Sequence, residues 1–190
     1  MSTTVLIVFL VVYLGMILGG LPFLQIDRTG IALLGAIALV GLGAVSPEQA
    51  AQSVHLPTLL LLFSFMVISA QMRLGGFYAR VTRHIAAPGV SPPALLALLI
   101  AAAAALSAVF SNDIVCLAMA PVLADACLKR RLNPLPYLLA LACAANVGSA
   151  ATLIGNPQNM LIGSVLQLPF KAYLLQAAAP VGLSLVVLWA

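Results

Sequence analysis

Two short polar stretches interrupt otherwise apolar sequence, and they are where this chain could do chemistry. The first is Ser111-Asn112-Asp113. The second is Gly155-Asn156-Pro157-Gln158-Asn159. In hydrocarbon such residues are costly: an aspartate at the centre of a membrane helix is disfavoured by about 2.5–3.5 kcal/mol on insertion scales. Backbone that leaves the helix also exposes N–H and C=O groups, which is tolerated only against protein or a wet cavity. Both stretches are therefore expected to line one polar pocket at membrane depth. Gly155 and Pro157 break the second helix, because glycine permits unusual dihedrals and proline removes a donor. Unwound carbonyls there suit a hard cation such as Na⁺. The amides of Asn156, Gln158 and Asn159, with the N–H groups that open the next half-helix, suit an anion. Ionised, Asp113 would coordinate a coupling cation; protonated, it would carry a coupling proton. The bland alternative is that Asx and Pro residues merely cap helices at a membrane surface.

The elements that must position these residues are membrane helices. Of 190 residues, 64% are hydrophobic and 6% charged, and mean hydropathy is +1.19. A water-soluble domain carries roughly a quarter charged residues, so the bilayer is the solvent that fits. The net charge of +4 does not mark a nucleic-acid binder, because the basic residues sit at the ends of apolar runs and form no stripe interleaved with aromatics. The three cysteines lack metal or redox spacing and read as small core residues. No Ser-His or His-Glu-x-x-His arrangement is present, which argues against an enzyme.

Apolar runs cover about 4–24, 29–46 and 56–72, each near the 20 residues that cross about 30 Å of hydrocarbon. The first is read as a retained helix rather than a signal peptide, with Gly15 and Gly19 spaced for close packing. A polar stretch follows from Ser46 to His55. Over residues 75–89, Phe77, Val81 and Ile85 form one stripe, and Arg80, Arg83 and His84 another. That is an amphipathic helix at the interface. A run over 92–128 bends at Ser111-Asn112-Asp113. Basic clusters flank it (Arg73, Arg80 and Arg83 before, Lys129, Arg130 and Arg131 after), and both should face the cytoplasm. The run must go in and return, either as two full crossings or as a re-entrant hairpin. Residues 135–166 form a broken helix, and 172–190 a last apolar run. Asp125 pairs with Lys129 four residues on. The predicted class is an all-α, multi-pass integral membrane protein.

The two breaks resemble those of the ion transporter superfamily that contains the divalent-anion/sodium symporters, the citrate transporters and the arsenite and P-protein permeases. Ser111-Asn112-Asp113 looks like the Ser-Asn-Thr tip of that family's first hairpin. The run NVGSAATLIGNPQN at 146–159 looks like its broken fifth helix with a Gly-x-Pro-x-Asn turn. The match covers about 95–165. It implies an elevator-type secondary transporter of two inverted repeats, multi-pass in the cell inner membrane and homodimeric when full length, of which this chain is the N-terminal half. The matching C-terminal repeat, or a second subunit, is then an expected partner. By this resemblance Ser107, Ser111 and Asn112 are sodium ligands with main-chain oxygen near Gly155, and Asn112 and Asp113 face a small anionic substrate such as a di- or tricarboxylate. Asp113 stands where the symporters carry threonine, whereas arsenite-type permeases often show an Asn-Asp pair. Na⁺/H⁺ antiport and a membrane scaffold without transport are the rival readings.

Overall fold

The structure, a computed structural model, describes residues 3–19, 26–87 and 89–190. Residues 20–24 of the first expected run lie outside the described residues. Among those described, ten α-helices and no strand are found. They fall into two compact units, residues 1–55 and 56–190.

In the first unit, α1 (Thr3–Leu18) packs on α2 (Arg28–Gly41). Asp27 caps α2 by accepting the Gly30 N–H at 2.9 Å, a capping geometry that satisfies one of the four orphan donors of a helix start. The helix stops at Gly41, and Gly43 then takes a left-handed φ of 66°. At 14 residues it is shorter than the 29–46 run predicted. The Gly15–Gly19 reading also needs correction. Gly15 is buried in α1, but Gly19 ends the helix with φ 77°. The close approach uses Gly35, where a Cβ would overlap Val12. The polar stretch after Ser46 contains a short helix, α3 (Pro47–Gln52), set by a capping box: Ser46 Oγ accepts the Gln49 N–H, and Gln49 Oε1 accepts the Ser46 N–H.

The second unit holds α4 (Leu56–Leu74), α5 (Phe77–Ile85), α6 (Pro92–Val109), α7 (Asn112–Lys129), α8 (Pro134–Ser149), α9 (Pro157–Val165) and α10 (Phe170–Trp189). By length and composition α4, α6 and α10 can each cross a membrane. Its centre is a three-helix core of α6, α7 and α8. Leu95, Leu99, Ala103 and Ser107 repeat every four residues on α6 and are fully enclosed, as are Val115, Met119, Leu123 and Cys127 on α7. That period places each set on one helix face. Gly148 of α8 lies on the Ala104 backbone of α6, so closely that a Cβ would overlap it. Small residues let helices approach where lipid offers no hydrophobic drive for association. Elsewhere large apolar side chains point outward along α4 and α10, as a hydrocarbon solvent permits.

The amphipathic segment forms α5, as its two stripes predict. Tyr78 and Thr82 are buried, and Phe77 and Ile85 pack half-buried against the same core. The helix packs against α7 and sets the Tyr78 ring edge-on to Phe110 at 6.3 Å. At the other end of the core, the Arg130 guanidinium donates to the Val90 carbonyl, and Trp189 Nε1 donates to the Pro93 carbonyl at 3.2 Å. The end of α7 therefore returns to the start of α6, the path of a hairpin. Asp125 and Lys129 form the expected pair at 2.6 Å, exposed at that end.

Candidate functional site

The hairpin tip is a two-residue interruption. Phe110 turns extended (φ −110°, ψ 164°) and ends α6. Ser111 (φ −59°, ψ 129°) then precedes the first residue of α7, Asn112. The polar triplet is thus mostly helical, narrower than the 111–113 break expected. No side chain caps α7, so its first-turn N–H groups remain available to a ligand or water. Asp113 lies in that first turn and is exposed, a position the helix dipole favours for a carboxylate.

The second break is earlier and longer than its sequence signature. The α8 helix ends at Ser149 and α9 starts at Pro157, so residues 150–156 carry the interruption. Pro157 opens α9 because a proline at the first helical position gives up an N–H that has no partner anyway. Asn156 caps it, its Oδ1 accepting the Asn159 N–H at 2.8 Å. The loop folds back on itself: the Asn159 amide donates to the Thr152 carbonyl at 3.0 Å. Gly155 is buried so close over Ser149 that a Cβ would overlap the Ser149 carbonyl. The glycine is required by that approach.

Two hydrogen bonds join the breaks. Asn112 Nδ2 donates to Asn146 Oδ1 at 3.0 Å. Thr152 Oγ1 donates to the Ala108 carbonyl in the last turn of α6. Between them lies a cavity of about 210 Å³, lined by Ser111, Asp113 and Ile114 from the hairpin, by Ile154, Gly155, Asn156, Pro157 and Met160 from the broken helix, and by Leu62, Phe65 and Met66 of α4.

The expected site residues divide accordingly. Ser111, Asp113, Gly155, Asn156 and Pro157 share the cavity wall. Asn112 turns to Asn146, Asn159 holds the loop, and Gln158 is exposed outside the lining. Ser107 is fully enclosed on α6, and its hydroxyl has no hydrogen-bond partner among the described residues. Residue types alone did not assign roles to Asn146 and Thr152, which tie the breaks together. The available signal was that each is a polar residue in an apolar run. The α4 wall carried no signal, because Leu62, Phe65 and Met66 look like any lipid-facing span.

Known proteins share much of this sequence. The chain is 37% identical to the silicon efflux transporter LSI3 of Oryza sativa subsp. japonica over 154 residues, 81% of this chain and 32% of the relative. It is 30% identical to the putative transporter arsB of Dictyostelium discoideum, over 74% of this chain and 25% of the relative. It is 32% identical to the magnetosome protein MamN of Paramagnetospirillum magneticum, over 75% of this chain and 34% of the relative. The chain therefore spans about a third or less of the length of these relatives. Residues 4–190 match the model of the citrate transporter family, and with its all-helical fold and paired helix breaks the chain belongs to that family of membrane transporters.

Proposed function

We propose that this chain builds one half of the substrate site of a secondary active transporter that moves a small oxygen-rich anion, or its neutral acid, coupled to H⁺ or Na⁺ through Asp113. The observation that carries the reading is the common cavity: the uncapped start of α7 and the Asn156-capped start of α9 meet there, and Asp113 is the one carboxylate in its wall. Helix starts favour anionic groups. An exposed carboxylate beside an anion repels it unless a cation or proton intervenes. Substrate and coupling ion are therefore bound together. The sodium reading places the ion against Ser107, Ser111, Asn112 and main-chain oxygen near Gly155, and the partnerless Ser107 hydroxyl supports it. The opposite wall would come from a second, inverted repeat or a second subunit, and the working unit would be a homodimer in the cell inner membrane. The lengths of the relatives support that completion.

The test uses the full-length protein in proteoliposomes, with citrate, arsenite and silicic acid as probes and with imposed pH or Na⁺ gradients. At least one probe should accumulate with one of the two gradients, and Asp113→Asn should abolish that accumulation while the protein stays folded. Gradient-driven accumulation that survives in Asp113→Asn would overturn the coupling role. Flux of every probe equal to that of protein-free vesicles would favour a scaffold.

A further inference from the structure

A second cavity lies away from the helix breaks, between α5 and α6. It is an open groove of about 610 Å³, lined by Arg80, Val81, His84 and Ile85 from α5 and by Leu98, Ala101 and Ala102 from α6. One end is basic and the floor is apolar. Arg80 and His84 stand one turn apart and are both exposed. His84 Nδ1 lies 3.1 Å from the Arg80 carbonyl, which holds the ring beside that residue. In residues 56–190 the acidic side chains are Asp113 and Asp125; Asp113 lines the other cavity and Asp125 pairs with Lys129, so neither neutralises Arg80. Arg83 differs: its Nε donates to the Ala79 carbonyl at 3.2 Å, and it lies outside the groove.

A basic head over a small-residue trough on a membrane helix is complementary to one kind of ligand. We propose that this groove is a binding site for an anionic phospholipid, its phosphate held by Arg80 and His84 and one acyl chain lying along Leu98, Ala101 and Ala102. Ala101 and Ala102 make the trough, because their short side chains leave room for a chain between Ile85 and Leu98. Basic clusters on the cytoplasmic side attract anionic headgroups, and the basic residues of α5 belong to the end assigned to the cytoplasm. The inference requires a membrane setting and is independent of what is transported.

The experiment is native mass spectrometry of the full-length protein in mixed micelles, with phosphatidylglycerol and phosphatidylcholine as probes. The wild type should retain phosphatidylglycerol preferentially. Arg80→Gln should lower that retention about fivefold, the factor for one basic residue at a membrane surface, while Arg83→Gln leaves it unchanged. Leu98→Trp, at an exposed position, should block the trough and remove the retained lipid without shifting the thermal midpoint. Equal losses in Arg80→Gln and Arg83→Gln would mean diffuse surface attraction and overturn the site. So would full retention in Leu98→Trp, or displacement of the lipid by millimolar inorganic phosphate, which would indicate a simple anion site.

Discussion

The side-chain amide of Asn112 donates to the side-chain oxygen of Asn146 across 3.0 Å, joining the first residue of α7 to the last turn of α8. This bond sets the hairpin tip against the helix that breaks four residues later. A side-chain hydrogen bond of this kind contributes about 1 kcal/mol. In a double-mutant cycle, Asn112→Ala and Asn146→Ala should be non-additive by about 1 kcal/mol in thermal or denaturant stability. Additive losses would show that the two residues act independently.

Gly148 and Gly155 are sites where a methyl group has no room, for different reasons. Gly148→Ala pushes α8 off the Ala104 backbone, and Gly155→Ala collides with the Ser149 carbonyl. Each should destabilise by about 1–3 kcal/mol, the usual range for overpacking. Hydrogen exchange should locate the damage: along the α6–α8 contact for Gly148→Ala, and within residues 150–156 for Gly155→Ala. Wild-type exchange in both variants would contradict the close packing described.

Ser107 and Ser149 are both buried serines with opposite expectations. Ser149 Oγ donates to the Asn146 carbonyl at 2.8 Å, whereas Ser107 Oγ has no partner. Without Na⁺, Ser149→Ala should lose about 1 kcal/mol, and Ser107→Ala should be neutral or stabilising, because an unpaired buried hydroxyl is itself unfavourable. Added Na⁺ should raise the melting temperature of the wild type and not that of Ser107→Ala. A sodium shift of equal size in both would remove Ser107 from the proposed ion site.

Thr152→Val keeps side-chain shape while deleting the bond to the Ala108 carbonyl. The loss should be about 1–3 kcal/mol, because Ala108 is then left with a part-buried unpaired acceptor. Faster exchange should appear in residues 150–156 and in the last turn of α6. Unchanged exchange at the end of α6 would mean that Thr152 does not link the two breaks.

Ser46→Ala removes half of the α3 capping box. The expected cost is about 1 kcal/mol, read as accelerated exchange confined to residues 47–52, with transport unaffected. A transport defect would assign α3 a role beyond the local turn.

Much of this protein follows from residue type and spacing alone. Sparse charge and long apolar runs require a bilayer, and two polar interruptions within those runs can exist only where a cavity or packed protein receives them. The family resemblance rested on the same residues. Packing decided the remainder. Asn156 and Pro157 mark where α9 starts, but where α8 stops depends on Gly155 folding back over the Ser149 backbone, a contact between residues six apart that no periodicity encodes. The two stripes of α5 mark it as amphipathic, but that Tyr78 is enclosed depends on α7 and on Phe110, whose ring meets it edge-on. Likewise the family resemblance implies a ligand role for Asn112, and only the arrival of Asn146 from 34 residues away shows that its amide nitrogen ties two helices together. Local sequence sets which groups cannot face lipid; only the assembled helices determine which of them satisfy one another and which are left facing the cavity.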